Sequence, residues 1–144
     1  VVMNIGAFGC IYLMRVDGKY KEEIRDLSGI SKKHPLLAVS FLIILFSLAG
    51  IPPLGGSFAK FYIFMSVIEN EMYSLAIIGL LSTVISAFYY LKIIKIIYFD
   101  EFKQSFDQIK NLNITSTIFV SCIILVTFFL YPSFLSNIIN SIFT

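Results

Sequence analysis

Charged residues are scarce in this sequence: 14% of its 144 residues are Asp, Glu, Lys or Arg. Soluble domains carry about 25%. Hydrophobic residues make up 58% of the chain, and its mean hydropathy is +0.87. A water-soluble fold of this size would have to leave large apolar patches exposed. The composition therefore excludes an ordinary soluble domain and predicts a protein surrounded by lipid.

Histidine and cysteine are also rare, with one His and two Cys in the chain. Cys10 and Cys122 lie far apart inside apolar runs, where cysteine usually behaves as a small hydrophobic residue. Their spacing fits neither a metal site nor a disulfide framework. The sequence also has no Gly-rich phosphate loop and no Ser/His/Asp set. We therefore predict that this chain binds no metal and no redox cofactor.

The basic residues form no block that would suit a nucleic acid. The formal net charge is only +2, and no Lys/Arg cluster is interleaved with aromatic residues that could stack on bases. The chain begins with Val1 and has no basic segment before an apolar stretch, so no signal peptide is predicted. Lipid and other membrane proteins are the expected partners.

Four apolar stretches cover most of the chain, at about residues 1–14, 35–68, 72–99 and 114–142. We predict helices, because backbone groups in hydrocarbon must be bonded internally and no barrel-type alternation is present. The first stretch would be only about 21 Å long, so we expect it to be the end of a truncated span. The predicted fold is all-α, a single transmembrane domain over residues 1–144 with about four membrane helices, forming the C-terminal part of a longer subunit.

The basic residues are distributed very unevenly between the loops. Every Lys and Arg except Lys60 lies in or beside loops 15–34 and 100–113, whereas loop 69–71 has none. The positive-inside rule therefore places the two basic loops in the cytoplasm, or in the matrix, with the chain in a bacterial or mitochondrial inner membrane. The spacing of Tyr20, Ile24 and Leu27 favours either a short surface helix ending near Gly29 or a solvated loop with a helical turn.

The second apolar stretch is too long for one straight helix. Residues 35–68 would extend about 51 Å, more than any bilayer requires. Helix-breaking residues interrupt it, namely Gly50, Pro52, Pro53, Gly55 and Gly56. We predict two half-helices, from about Leu36 to Ala49 and from about Ser57 to Ile68, with Ser57 as the N-cap of the second. Because unwound backbone at membrane depth must be covered by protein or water, the break should face the bundle interior.

Lys60 is the only formal charge between His34 and Glu69. A lysine at that depth costs on the order of 3 kcal/mol and is usually retained for ion or proton handling. Since desolvation disfavours the ammonium form, we predict a lysine that exchanges its proton and acts as a proton relay. The alternative is that Lys60 snorkels, with its stem in lipid and its ammonium at the headgroups.

Other polar residues are weaker candidates for a proton path. Ser86, Tyr89 and Tyr90, with Ser82 and Thr83 nearby, could line a hydrated route along the third stretch. Such side chains also commonly bond neighbouring helices or lie in an interfacial belt. His34 stands at the membrane border, where an imidazole could take up protons from bulk solvent, although loop histidines are usually bystanders.

The run Ser47–Phe64, SLAGIPPLGGSFAKFYIF, resembles the twelfth transmembrane segment of the antiporter-like subunits of respiratory complex I. Residues 27–35 resemble the loop after the family's eleventh segment, and the chain is most similar to the subunit N group, equivalent to mitochondrial NADH dehydrogenase subunit 2. The resemblance implies proton translocation coupled to quinone reduction by NADH, with Lys60 matching the family's lysine in the broken helix. Ser57 and Ala59 stand where the family usually has glycine.

The resemblance also implies partners and cofactors outside this chain. Other membrane subunits of complex I would form a hetero-oligomer with it, and NADH, flavin, iron–sulfur clusters and quinone would be bound in partner subunits. Two alternatives are open at this point. One is a subunit of a multisubunit cation/proton antiporter, which shares the Pro-Pro break and the lysine. The other is a structural membrane subunit with no transport role.

Overall fold

The computed structural model describes residues 1–16, 19–20, 23–51, 54–102 and 112–130, and most of these residues are helical. Five α-helices follow the predicted apolar stretches: α1 Val2–Tyr12, α2 Pro35–Ala49, α3 Gly55–Glu69, α4 Tyr73–Phe99 and α5 Leu112–Leu130. The segment between α1 and α2 holds a short antiparallel pair, β1 Arg15–Val16 and β2 Lys19–Tyr20, and two 3₁₀ turns, Ile24–Leu27 and Ile30–Lys32. The last part of the fourth predicted stretch, residues 131–142, lies outside the described residues.

Helix α4 is the one described helix that is long and apolar enough to cross a membrane by itself. Its 27 residues would extend about 40 Å. Three shorter apolar helices accompany it: Val2–Tyr12, Pro35–Ala49 and Leu112–Phe128. Apolar side chains of α4 are exposed on several sides, including Ile78, Leu81 and Phe88. A helix that is apolar all round and still exposed is stable only in lipid or against other protein chains.

Helix α2 forms the centre of the bundle. It carries the buried residues Ala38, Phe41 and Ile44, and it packs against α1, α4 and α5. Two glycines of α1 allow close packing. A Cβ on Gly6 would lie 2.8 Å from the Ile44 side chain, and one on Gly9 would lie 2.9 Å from the Ile118 side chain. Small residues commonly let membrane helices approach one another in this way.

The loop between α1 and α2 differs from the predicted surface helix. Tyr20 belongs to β2, paired with Arg15, and the helical structure among the described residues of this loop consists of 3₁₀ turns. The prediction of one surface helix through Tyr20, Ile24 and Leu27 is therefore wrong, and the solvated loop with a helical turn is closer. Gly29 adopts a left-handed conformation with φ of 64° between the two turns. Its N–H donates to the Ile96 carbonyl at 3.0 Å, so this loop lies on the same side of the bundle as the end of α4.

The second half-helix begins earlier than predicted. Helix α3 starts at Gly55 with Leu54 as its N-cap, whereas the sequence suggested Ser57. The Ser57 hydroxyl donates to the Leu54 carbonyl at 2.7 Å and caps no amide, so the N-cap prediction is wrong. The reason is that Gly55 and Gly56 can form the first helical turn directly against neighbouring helices, where a side chain would not fit. Pro52 and Pro53 lie outside the described residues.

Candidate proton site at the helix interruption

Helix α2 ends in a left-handed glycine. Gly50 has a φ of 77°, a conformation that residues with a Cβ rarely adopt. The Gly50 N–H donates to Ser47 O, and the Ile51 N–H donates to Phe46 O, each at 3.1 Å. This is the Schellman pattern of a helix C-terminus, and it provides donors for two of the last four carbonyls of α2. The carbonyls of Leu48 and Ala49 still need partners.

Lys60 supplies those partners from the second turn of α3. Its Nζ donates to Leu48 O at 3.1 Å and to Ala49 O at 2.9 Å. The side chain is half-buried and directed back toward α2, so it is not extended toward the end of α3 at Glu69. The partial negative charge of a helix C-terminus stabilises an ammonium group. All four terminal carbonyls of α2 are thereby satisfied, and the charge of Lys60 lies at the interruption between α2 and α3.

A second contact holds α3 against α2. The Gly56 N–H donates to Ser47 Oγ at 3.1 Å, and the Ser47 hydroxyl donates to Met3 Sδ at 3.2 Å. Ser47 is 1% exposed, so this contact is inside the bundle. A Cβ on Gly56 would lie 1.7 Å from Ser47 O, which no structure can accommodate without backbone movement. Ser47 therefore connects α1, α2 and α3 one turn away from the Lys60 contact.

Helix α5 supports the start of α3 from another side. Phe58 and Phe128 meet edge to face with ring centroids 6.1 Å apart. A Cβ on Gly55 would lie 2.9 Å from the Phe128 ring. Edge-to-face pairs of this kind contribute about 0.5–1.5 kcal/mol beyond area burial. The start of α3, which carries Lys60, is thus held by contacts from α2 and α5.

The other predicted site residues are not among the hydrogen-bond partners of Lys60 in the described part of the chain. His34 is the N-cap of α2, and the 15 residues of that helix place it about 22 Å from the carbonyls that Lys60 binds. On α4, Ser86 Oγ donates to Ser82 O within the same helix. Tyr89 is exposed, whereas Tyr90 is half-buried beside the apolar core. Of the candidate glycines that the structure describes, Gly50 lies directly beside the Lys60 side chain, whereas Gly55 faces Phe128 and Gly56 faces Ser47.

The described part of the chain has no cluster of side chains suited to a metal ion. No group of three or more His, Cys, Asp or Glu side chains there could hold a metal ion. Cys10 and Cys122 are free and buried. The titratable group that the described contacts place at the interruption is the amino group of Lys60.

Ser47 is the residue that the sequence interpretation missed. The sequence does indicate Ser47, because it places an isolated hydroxyl in an apolar run three residues before Gly50. Hydroxyls in membrane helices commonly bond across to neighbouring helices. What the sequence could not supply is the partner, since the Gly56 amide and the Met3 sulfur reach Ser47 only through helix packing.

Gly50 offers a test of how the interruption holds Lys60. An added Cβ would lie 2.6 Å from Lys60 Cδ and 3.0 Å from its Nζ, in a left-handed conformation that costs about 1–2 kcal/mol for a residue with a side chain. We expect Gly50→Ala to displace the ammonium from Leu48 O and Ala49 O. In membranes carrying the full-length subunit, proton translocation should fall more than assembly does.

Matched measurements on Gly9→Ala separate this effect from general crowding in the bundle. That substitution also introduces a close contact, at 2.9 Å from the Ile118 side chain, but away from the interruption. Equal losses of assembly and of translocation in both variants would show that Gly50 has no special connection with Lys60.

Comparison with known proteins places the chain in a family. Residues 1–86 match a family model described as "NADH:quinone oxidoreductase/Mrp antiporter, TM". The chain belongs to this family. Members of it are membrane proteins by that description, so the predicted helical membrane fold is confirmed at this level. The resemblance seen in residues 47–64 is confirmed as well.

Individual relatives within the oxidoreductase/antiporter family cover almost the whole chain. A protein of Pelagibacter ubique named NADH-quinone oxidoreductase subunit N is 54% identical over 142 residues, which are 99% of this chain and 30% of that protein. The subunit N protein of Paramagnetospirillum magneticum is 46% identical over 131 residues, 91% of this chain and 27% of that protein. The chain therefore spans less than a third of the length of these relatives.

A solved structure shares the fold. One chain of respiratory complex I from Thermus thermophilus, determined with bound aureothin, matches with a TM-score of 0.74 over 92% of this chain and 32% of that one. Its sequence identity is 19%, so this likeness concerns the arrangement of the helices alone.

Proposed function

We propose that this chain forms the C-terminal part of a proton-translocating membrane subunit of NADH:quinone oxidoreductase, with Lys60 as a proton relay. The subunit N relatives support the assignment to that complex. The observation that carries the relay is the pair of hydrogen bonds from Lys60 Nζ to the carbonyls that end α2. In this proposal the domain has about four membrane helices, and α2 and α3 are the halves of a single interrupted span.

The chemistry of the relay follows from opposing influences on one amino group. The carbonyls of Leu48 and Ala49 stabilise the ammonium, whereas removal from water favours the neutral amine. An ammonium has three N–H donors, and these two bonds use two of them. The third can donate to water or to a neighbouring side chain, which is the path a departing proton needs. A shift of α3 relative to α2 would change the contacts of Lys60 with these carbonyls. It would therefore change the free energy of proton release from the ammonium.

The other residues of the proposed proton path have no direct hydrogen bond to Lys60 in the described part of the chain. Tyr89, Tyr90 and Ser86 lie on α4, which packs against α3, and His34 lies at the opposite end of α2 from the interruption. A chain of water molecules would have to join them to Lys60. Because the basic residues are concentrated in and beside loops 15–34 and 100–113, we infer that these loops face the cytoplasm, or the matrix, and that the chain lies in the inner membrane.

The redox reaction belongs to other subunits in this proposal. NADH, flavin, iron–sulfur clusters and quinone would be bound by partner subunits of a hetero-oligomeric complex, and this chain would contribute only proton movement.

A cation/proton antiporter subunit is the second candidate, because the family description includes Mrp antiporters. The names of the similar relatives favour the oxidoreductase. The test is to tag the full-length subunit in its native membrane and to isolate its complex. We expect NADH:quinone oxidoreductase activity to copurify with the tag, and deletion of the subunit to abolish NADH-driven proton translocation. Copurification with sodium efflux activity, in the absence of NADH oxidation, would overturn this assignment.

A further inference from the structure

A cavity of about 490 Å³ opens where the loop between α1 and α2 meets the C-terminal end of α4. The described side chains that line it are Ile24, Arg25, Ser28, Lys92, Ile96 and Asp100. It lies toward the N-terminal end of α2, whereas Lys60 binds the C-terminal end of that helix. The proposed proton site makes no use of these residues.

The walls of this cavity are held in place by backbone contacts. The Gly29 N–H donates to the Ile96 carbonyl at 3.0 Å. A Cβ on Gly29 would lie 2.6 Å from the backbone of Phe102, so the loop and the end of α4 are in direct contact. Leu27, Ile30 and Ile97 are buried beneath them. The cavity is therefore a fixed feature between two packed segments.

The lining has the chemistry of a phospholipid headgroup site. Arg25 and Lys92 supply two positive charges and Asp100 supplies one negative charge, which leaves one net positive charge for one phosphodiester. A guanidinium binds two phosphate oxygens at once, and an ammonium adds a point charge. Ile24 and Ile96 add an apolar wall suited to the glycerol backbone and the start of the acyl chains. Basic pockets at the cytoplasmic border of membrane helices commonly bind anionic lipids.

We propose that this cavity binds the phosphodiester of an anionic phospholipid with a hydroxyl-bearing headgroup, such as phosphatidylglycerol. Arg25 and Lys92 hold the phosphate, and the Ser28 hydroxyl lies beside it. The Asp100 carboxylate accepts hydrogen bonds from the headgroup hydroxyls and disfavours a second negative charge. The acyl chains then lie along the exposed apolar surface of α4.

Site-specific crosslinking tests this assignment in the assembled complex. Ile24, which is 51% exposed, is replaced by the photoreactive residue benzoylphenylalanine, and the complex is reconstituted in nanodiscs of phosphatidylglycerol and phosphatidylcholine. We expect crosslinks mainly to phosphatidylglycerol. The double variant Arg25→Gln/Lys92→Gln should reduce them by about tenfold or more. The matched variant Lys32→Gln/Lys95→Gln removes the same charge from exposed residues of the same two segments that do not line the cavity, and it should leave the crosslinks unchanged.

Three results would overturn the proposal. Equal crosslinking to both lipids would show that the cavity does not select an anionic headgroup. Crosslinks to a neighbouring protein segment would identify a protein as the occupant. Loss of the lipid product on addition of inorganic phosphate would show a site for free phosphate. Since the readout is lipid contact, each of these results leaves the relay role of Lys60 untouched.

Discussion

Gly56→Ala is expected to prevent normal assembly of the subunit. The added Cβ would lie 1.7 Å from Ser47 O and 2.7 Å from the carbonyl carbon of the same residue. Both are backbone atoms, so no rotamer change can relieve the contact, and α3 would have to move away from α2. That movement would also stretch the bond from the Gly56 N–H to Ser47 Oγ. Overpacking a core usually costs about 1–3 kcal/mol, and a clash with backbone should exceed this range.

The measurement is the amount of intact complex, determined by native electrophoresis of membranes that carry the full-length variant. Gly79→Ala on α4 is the matched control, because its added Cβ would lie 3.0 Å from the outer edge of the Phe64 ring, which can turn aside. We expect normal assembly for Gly79→Ala and a severe loss for Gly56→Ala. Wild-type levels and thermal stability of the Gly56→Ala complex would show that α2 and α3 are not packed as described.

Local chemistry made part of this site predictable. Adjacent prolines after a glycine do not continue a helix, and the structure ends α2 at Ala49 and begins α3 at Gly55. The break is shorter than the sequence suggested, because Gly55 and Gly56 belong to the first turn of α3. A single lysine in a long apolar stretch is a recognisable candidate, because placing a charge in the hydrocarbon layer is energetically costly. Neither inference required knowledge of how the helices pack.

The remaining features depend on contacts between distant parts of the chain. The sequence suggested Ser57 as an N-cap. In the structure α3 begins two residues earlier, at Gly55, and the Ser57 hydroxyl donates to Leu54 O. The partners of Lys60, 11 and 12 residues before it, follow from the way α3 folds back on α2. Tyr20 belongs to a strand although its spacing with Ile24 suggested a helix, since a short apolar spacing does not distinguish a turn from a helix.

Lys60→Met is expected to abolish proton translocation through this subunit. Methionine has a similar shape but no N–H, so Leu48 O and Ala49 O lose their donor and the interruption loses the titrating group of Lys60. Loss of two part-buried hydrogen bonds should also lower stability, by at most about 1–3 kcal/mol for each carbonyl left unsatisfied. A fall in pumping with this variant alone could therefore come from the missing cap or from the missing proton.

Lys60→Arg separates these two roles. A guanidinium keeps its positive charge and has several donors for the two carbonyls, so the cap at the end of α2 is retained. It does not release a proton in a protein, and its reference pKa lies about 2 units or more above that of lysine. Proton transfer through Arg should be slower by about 100-fold or more, while assembly stays close to that of the unmodified protein. A purely structural lysine, by contrast, would tolerate this substitution.

The most direct test of the account is the number of protons translocated for each NADH oxidised by the Lys60→Arg complex in proteoliposomes. The relay role predicts a complex that assembles normally and oxidises NADH with a clearly lower ratio than the unmodified complex measured beside it. An unchanged ratio in a fully assembled Lys60→Arg complex would contradict it, because the carbonyl contacts would then be sufficient without any exchange of the proton.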